Sequence, residues 1–198
     1  MSDTPVDSSK RTWLIASGCA GAAGAVGVAV PFVSSFGPSE RAKAAGAPVE
    51  VDISGLQPGG KINAEWRGKP IWIMRRTPEQ LASLKKTDGE VADPQSNRTA
   101  FPTPEYAKNE TRSIKPEILV VIGICTHLGC SPVDKFTPGP QPSLPADWEG
   151  GFLCPCHGST FDLAGRVFKN KPAPDNLEVP PHMYLSDTTL LIGEDKKA

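Results

Sequence analysis

The hydrophobic pattern divides the chain into one long uncharged run and a later region of short runs. Residues 12–36 carry no charged side chain, and alternation of apolar and polar residues starts only near residue 49. A helix that crosses a bilayer core needs roughly 20 apolar residues. We therefore predict a single transmembrane helix over 12–36, a flexible or weakly helical hinge linker over 37–48, and a globular domain over 49–198.

Short strands dominate the globular domain, and one helix interrupts them. Thr77, Pro78 and Gln80 form a capping pattern that begins a short helix, and Gly89 is expected to stop it. The nearly continuous apolar run 117–124 is typical of a strand buried on both faces. Apolar runs predict strands at 49–53, 71–75, 117–124, 166–168, 177–179, 183–185 and 189–192. The predicted fold class is mainly β, with a small antiparallel all-β domain behind the transmembrane helix.

Composition agrees with this fold class. The 198 residues include 21 prolines and 19 glycines, which favour short strands and loops over a helical bundle. The formal net charge is -1, so nothing indicates nucleic-acid binding. The stretch 88–113 is polar, proline-spotted and without periodicity, and we predict that it forms a surface loop.

Charges beside the uncharged run predict its orientation. Lys10 and Arg11 precede the run, so the positive-inside rule places residues 1–11 in the cytoplasm and the globular domain outside. The stretch SSKRTWL resembles a twin-arginine export signal with Lys in place of the first Arg, and a Sec-inserted anchor is the alternative. The sequence AKA at 42–44 matches a cleavage site. The uncharged run exceeds the roughly 7 to 15 residues of a signal peptide's apolar region, which favours an uncleaved anchor.

Two short motifs, CTHLGC at 125–130 and CPCHGS at 154–159, hold four of the five cysteines and two of the three histidines. Two disulfides, common in exported proteins, would leave the histidines unexplained. A structural zinc site takes four Cys and His ligands and would leave two cysteines spare. A third interpretation uses all six residues: two Cys and two His bind a [2Fe-2S] cluster, as in a Rieske centre, and two Cys form a disulfide. Spacing alone does not say which cysteine of each motif is the ligand.

The two motifs resemble the cluster-binding loops of the Rieske iron-sulfur proteins of cytochrome bc1 complexes. Residues 66–76, 118–130 and 150–180 all resemble that family, as does the anchor with its export signal. The resemblance implies an electron-transfer subunit of a quinol:cytochrome c oxidoreductase. Such a subunit takes an electron from quinol, with ubiquinol expected, at the cytochrome b subunit and passes it to cytochrome c1. The implied setting is a dimeric complex in the bacterial inner membrane, with the Rieske domain in the periplasm.

The resemblance also implies roles for individual residues, in a cluster-binding subdomain at about 124–175. It implies four cluster ligands, with one iron bound by Cys125 and Cys154 and the other by His127 and His157. It implies a disulfide between Cys130 and Cys156. The two histidines are the expected catalytic residues, because an iron-bound imidazole keeps a second ring nitrogen that exchanges a proton.

Further residues are expected to tune or cover the cluster. Ser159 stands where the family places a hydroxyl that donates to a bridging sulfide. Phe161 stands where many relatives have Tyr, so we expect a lower potential than in those relatives. The expected cluster cover consists of Leu128, Gly129, Gly158, Pro172 and Pro174. Outside the motifs, we expect His182 to be an ordinary surface residue and Cys19 a small apolar residue of the membrane run.

Two related classes are weighed against this interpretation. A Rieske ferredoxin that feeds an oxygenase lacks the disulfide pair and the anchor, both of which are present in this sequence. The Rieske subunit of an arsenite-oxidase-type enzyme can share the export signal and the disulfide. The stretch 66–76 and the long spacing between the two motifs favour the quinol:cytochrome c oxidoreductase.

Overall fold

The structure is a computed structural model that describes residues 7–195, apart from the side chains of Arg41 and Ala45. The chain divides into two compact units, with the boundary at residues 44 and 45. The first unit consists of helices. The second unit contains three small antiparallel sheets, which confirms the predicted mainly β fold.

Helix α1 spans Ser8–Ser34 and contains 27 residues. It begins before the predicted residue 12 because the Asp7 carboxylate caps it, accepting hydrogen bonds from the backbone N–H groups of Ser9 at 3.1 Å and Lys10 at 3.3 Å. The most apolar part of α1 has a mean hydropathy of 1.7. At 1.5 Å per residue the helix is about 40 Å long, so it is long and apolar enough for a membrane anchor.

A second, short helix, α2 (Glu40–Ala45), lies within the predicted linker. The Ser39 hydroxyl accepts a hydrogen bond from the Ala42 N–H at 3.1 Å, which is an N-cap contact. The linker therefore contains one and a half helical turns rather than extended chain throughout.

Up to residue 195, the second unit contains nine strands, a helix α3 (Pro78–Thr87) and a single 3-10 turn (Glu105–Ala107). Its strands are β1 (Val49–Asp52), β2 (Lys61–Trp66), β3 (Lys69–Arg75), β4 (Ile118–Ile122), β5 (Val133–Lys135), β6 (Gly151–Leu153), β7 (Thr160–Phe161), β8 (His182–Tyr184) and β9 (Thr189–Ile192). They form a base sheet in the order β1-β9-β8, a central sheet β2-β3-β4 and a tip sheet β5-β6-β7.

Strands β3 and β4 of the central sheet are buried on both faces. Alternation along β3 sends Ile71 and Ile73 into an aliphatic core shared with the base sheet. The intervening Trp72 and Met74 enter a second core shared with the tip sheet. Every residue of β4 is buried, which confirms the prediction made from the run 117–124.

Helix α3 begins with the predicted capping box. The Gln80 N–H donates to the Thr77 hydroxyl at 3.3 Å, and the Thr77 N–H donates to the Gln80 side chain at 2.9 Å. The helix ends at Thr87, shortly before the predicted stop at Gly89.

Two predicted strands, 166–168 and 177–179, do not form. Residues 166–168 make only isolated bridges, from Phe168 to Val91 and from Val167 to Phe161. The Val167 N–H donates to the Asn176 side chain at 2.9 Å. A side-chain hydrogen bond therefore takes the place of backbone pairing with a neighbouring strand. The strands β2, β5, β6 and β7 were not predicted. Runs of two or three residues, as in β5, β6 and β7, are too short to show a period, whereas the six residues of β2 do alternate and were overlooked.

The stretch 88–113 was predicted to be a surface loop; it is largely irregular and half of it is exposed, but several of its polar side chains are buried. Arg112 is 1% exposed, and Ser96, Thr103 and Ser113 are also buried. These polar side chains are buried because they form hydrogen bonds with one another and with backbone carbonyls. The segment is therefore a loop that is anchored in the domain interior by buried polar side chains.

The expectation that His182 is a surface residue is also wrong. The ring is 1% exposed and packs edge-on against Tyr106, with 5.4 Å between ring centroids. Its Nδ1–H donates to the Pro180 carbonyl at 2.8 Å. Burial lowers the pKa of His182, and the Pro180 hydrogen bond and the charge of Asp195 offset only part of that shift.

Candidate metal centre

Two loops with the same local structure form the candidate centre. The first follows β4 and contains CTHLGC; the second joins β6 to β7 and contains CPCHGS. In each loop the first motif residue donates its N–H to the carbonyl of the last, Cys125 to Cys130 at 2.8 Å and Cys154 to Ser159 at 2.7 Å. Each motif is therefore closed into a compact turn by its own backbone.

The glycines of the motifs permit these turns. Gly129 has φ of 81° and Gly158 has φ of 72°, values that favour glycine. Each donates its N–H to the carbonyl of the first cysteine of its motif, at 3.1 Å and 3.0 Å. The backbone conformation therefore explains why both positions are glycine. That these glycines approach the cluster closely stays a prediction.

A disulfide joins the two loops. Cys130 and Cys156 are bonded, which confirms the predicted pair. By the loss of chain entropy in the unfolded state, closing a loop of this length contributes about 3 to 4 kcal/mol. The disulfide also fixes the distance between the two motifs, so the remaining cysteines and histidines are held opposite one another.

The other two cysteines of the motifs lie deep between the loops. Cys125 and Cys154 are each 2% exposed and belong to no disulfide. Burial raises the pKa of the Cys125 thiol, and the neighbouring Cys154 thiol adds to that shift, whereas the nearby His127 backbone N–H and Ser159 hydroxyl oppose it. The Cys154 sulfur also lies within 4.8 Å of both disulfide sulfurs. Those two sulfurs are already bonded, so these three cysteines are not a free ligand set.

The two histidines lie closer to the surface. The rings of His127 and His157 have centroids 4.8 Å apart and an interplanar angle of 83°. His157 is exposed and His127 partly exposed. Beside them Leu128 is 71% exposed, an unusual position for a large apolar side chain. The loops therefore present two buried sulfurs and two more exposed nitrogens.

Ser159 and Phe161 lie beneath the second loop, and both are fully buried. The Ser159 hydroxyl oxygen accepts the Ala173 N–H at 2.9 Å, which leaves its proton free to donate. Phe161 lies on β7 opposite Phe152, inside the core shared with the central sheet. Both residues therefore lie close to the buried thiols.

The proline-rich loop 171–177 is attached to both motif loops. Pro172 and Pro174 are exposed, whereas Ala173 between them is buried. The Thr126 hydroxyl donates to the Asp175 carbonyl at 2.6 Å, so the first loop holds one part of this segment and Ser159 holds another. Sequence reasoning missed Thr126, whose only signal was a hydroxyl inside the motif.

Sequence reasoning also missed a buried ion pair behind the second loop. The Arg166 Nε–H donates to the Asp162 carboxylate at 2.7 Å, and both side chains are 1% exposed. Asp162 also accepts the N–H groups of Ala164 and Arg166, at 2.9 Å and 2.8 Å. The ion pair therefore holds the turn that follows β7.

The donor set fits an iron-sulfur cluster. Two buried thiols and two neighbouring imidazoles lie on the two loops, and the disulfide removes the remaining cysteine pair from competition. Two Cys and two His are the ligand types of a Rieske centre. A zinc ion accepts the same four donors, so donor chemistry alone does not separate the two.

Comparison with known proteins distinguishes an iron-sulfur cluster from a zinc ion. Residues 94–181 match the Rieske [2Fe-2S] domain family. The chain is 58% identical to the "Ubiquinol-cytochrome c reductase iron-sulfur subunit" of Allochromatium vinosum, over 94% of this chain and 89% of that one. It is 42% identical to the subunit of the same name from Blastochloris viridis, over 97% and 96% of the two chains.

Among solved structures, the chain is similar to one titled "Hyperthermophilic respiratory Complex III". The two share 27% sequence identity with a TM-score of 0.46, over 89% of this chain and 97% of that one. The cofactor is a Rieske [2Fe-2S] cluster. The chain belongs to the family of iron-sulfur subunits of ubiquinol-cytochrome c reductase, the cytochrome bc1 complex.

Proposed function

We propose that Cys125, His127, Cys154 and His157 hold the cluster, and that the subunit carries electrons from quinol to cytochrome c1. One observation carries this proposal: two imidazoles face each other near the surface, on the same two loops that bury two thiols. The cysteines would bind the inner iron and the histidines the outer iron. The names of relatives such as those from Allochromatium vinosum and Blastochloris viridis favour this role over a ferredoxin or another exported oxidoreductase.

The histidines would handle the proton. When bound, the [2Fe-2S] cluster accepts one electron, at a potential that His ligation places roughly between -150 and +300 mV. The ring nitrogen that is not used for iron accepts a hydrogen bond from the quinol hydroxyl and then holds its proton. His157 is the more exposed ring, so we propose that it meets the quinol at the cytochrome b subunit.

Other residues would tune and shield the site. The His127 backbone N–H and the Ser159 hydroxyl, both near the Cys125 sulfur, would stabilise the added negative charge after reduction. The exposed Leu128 would cover the rings and exclude water when it contacts a partner subunit. This chain would therefore bind the cluster, orient the quinol and exclude water from the site, whereas complete quinol oxidation requires the whole complex.

The domain organisation follows from the same proposal. Residues 1–11 would lie in the cytoplasm, 12–36 in the bacterial inner membrane, and 49–198 in the periplasm, within a dimeric complex. Lys10 and Arg11 support that orientation by the positive-inside rule. The disulfide supports an oxidising compartment. The linker 37–48 would let the domain move between cytochrome b and cytochrome c1.

Rapid-freeze EPR of the assembled complex, mixed with ubiquinol, tests the electron path. We expect the signal of the reduced cluster to appear before the c-type haem is reduced. Reduction of that haem without any cluster signal would overturn the proposed role.

Stiffening the linker tests the movement separately. Ala42→Pro with Ala44→Pro should slow cytochrome c reduction while the EPR spectrum of the cluster stays unchanged, because proline restricts the backbone. Ala42→Gly with Ala44→Gly is the matched control and should keep turnover. Unchanged turnover in the proline variant would show that the linker does not act as a hinge.

A further inference from the structure

Three arginine side chains lie buried behind the second cluster loop: Arg76, Arg112 and Arg166. Arg166 has a carboxylate partner in Asp162. Within residues 7–195, no carboxylate lies within 4.0 Å of the guanidinium of Arg76 or Arg112. Burying a cation without a counter-ion is costly. The hydrogen bonds that compensate for this cost therefore show which parts of the chain each arginine holds.

Arg112 is compensated entirely by neutral oxygens. Its Nε–H donates to the Ser96 hydroxyl at 2.8 Å, and Nη2 donates to the Leu177 carbonyl at 2.8 Å and the Thr103 hydroxyl at 3.3 Å. Its Nη1 donates to the carbonyls of Ala164 at 3.1 Å and Gly165 at 3.2 Å. One guanidinium therefore joins three separate stretches of chain.

Arg76 continues the same pattern. Its Nη1 donates to the Leu163 carbonyl at 3.0 Å. The carbonyls of three consecutive residues, 163–165, are thus held by two buried cations. These residues form the turn just after Phe161, and the turn leads into the segment that precedes the proline-rich loop.

Arg112 remains charged under physiological conditions. Burial lowers its pKa to about 10, which is still well above neutral pH. Methionine at this position would remove a buried charge and leave oxygens without this donor, including the carbonyls of Ala164 and Leu177. Hydrogen bonds to charged groups are among the stronger polar contacts in a folded protein, so losing this guanidinium should loosen every stretch that it joins.

The proline-rich loop is held at both ends. The Ala173 N–H donates to the Ser159 hydroxyl at 2.9 Å near its start. Near its end the Leu177 N–H donates to the Gly165 carbonyl at 2.8 Å, and Arg112 donates to both the Gly165 and the Leu177 carbonyls. The guanidinium thus reinforces one backbone hydrogen bond between the turn and the loop.

We propose that Arg112 is a positioning residue that locks the proline-rich loop 171–177 to the turn behind the second cluster loop. Its role for the cluster rests on the ligand set proposed above. The stretch 88–113 then has a structural role, because it delivers a buried cation together with the Ser96 and Thr103 hydroxyls that orient it. The same charge stabilises the reduced cluster, because reduction adds a negative charge to the site.

Hydrogen exchange and redox titration of the full-length protein with its cluster test this proposal. Arg112→Met should speed exchange of the Ala173 and Leu177 amides by about tenfold or more, lower the potential and broaden the EPR lines. Arg112→Lys keeps the charge but cannot reach all three stretches, so exchange should stay fast while the potential recovers. The matched control is Lys108→Met, which removes one charge from the same segment at an exposed side chain whose ion-pair partner, Glu105, lies in that segment and not in the loop.

Several outcomes would contradict the proposed role of Arg112. Equal exchange in Arg112→Met and Lys108→Met would overturn the proposal. If Arg112→Met does not fold, Thr103→Val is the alternative, because it removes one acceptor of the Arg112 guanidinium and should still speed exchange in 171–177. Exchange at the wild-type rate in Thr103→Val would also overturn the proposal. These exchange rates do not depend on which residues bind iron. A wild-type protein without a Rieske EPR spectrum would instead refute the proposed function.

Discussion

The two faces of the central sheet are stabilised in different ways. Toward the base sheet, Ile71 and Ile73 pack with the aliphatic residues of β4 and β9. Toward the tip sheet, the same strand contributes Trp72, which stacks on Phe152 with 5.1 Å between ring centroids. Behind that second core lie the buried arginines and the cluster loops.

This difference separates stability from function. The aliphatic core gains its free energy from buried area, which many side chains share. The tip depends on individual contacts, such as the disulfide, the Ser159 hydroxyl and Arg112, each with a defined geometry. We therefore expect changes in the base to alter unfolding alone, and changes in the tip to alter the cluster as well.

The largest effect should come from removing the disulfide. Cys130→Ser with Cys156→Ser should cost about 3 to 4 kcal/mol of unfolding free energy and most of the bound cluster, because the two loops lose their link. Thermal unfolding and visible absorbance per chain measure these losses. Cys19→Ser, which changes a cysteine of α1, should alter neither; a double variant that matches this control would contradict the account.

A cavity in the aliphatic core should affect stability without affecting the cluster. Ile73 is 0% exposed, and Ile73→Ala should lower the unfolding free energy by about 2 to 5 kcal/mol, with Ile73→Val costing only about 0.5 to 1.5 kcal/mol. Redox titration of the folded variants should give the wild-type potential. A shifted potential in Ile73→Ala would show that the two faces are not independent.

A hydroxyl added in the tip should change the potential. Phe161→Tyr places a donor near the buried thiols, so we expect a higher potential than in wild type. The comparison is Phe152→Tyr, which adds the same group at the cross-strand partner and should leave the potential unchanged. Redox titration monitored by EPR decides; an unchanged or lower potential in Phe161→Tyr would refute the tuning role.

The smallest effect concerns His182. Because burial lowers its folded pKa below the ordinary 6.5, the unfolded chain binds more protons between those two values, and stability falls as the pH drops below about 6.5. The loss is at most about 1.4 kcal/mol per pH unit. Urea unfolding at pH 7.5 and 5.5 should show a smaller difference for His182→Asn than for wild type. Equal pH dependence would contradict this assignment.

The sequence predicted the base of the domain better than the tip. The runs at 49–53, 71–75, 117–124 and 189–192 became β1, β3, β4 and β9, because alternation reports burial directly. The capping box at Thr77 was also predicted from the sequence and is confirmed. The strands of the tip were missed because they are short and end in turns closed by individual hydrogen bonds.

The candidate site was predicted from its motifs and from family resemblance, with some gaps. The disulfide between Cys130 and Cys156 and the cofactor class were confirmed. Thr126 and Arg112 were missed because their partners are backbone carbonyls 49 and up to 65 residues away in sequence. No local pattern encodes such a contact, since a polar residue in a polar stretch predicts exposure.

The central claim is that two histidines and two cysteines bind the cluster. Pulsed EPR of the reduced full-length protein, with ¹⁵N-labelled histidine, measures nitrogen coupling to the cluster directly. We expect two strongly coupled nitrogens, both changed by the label, in wild type and in His182→Asn alike. One coupled nitrogen or none would contradict the assignment of His127 and His157.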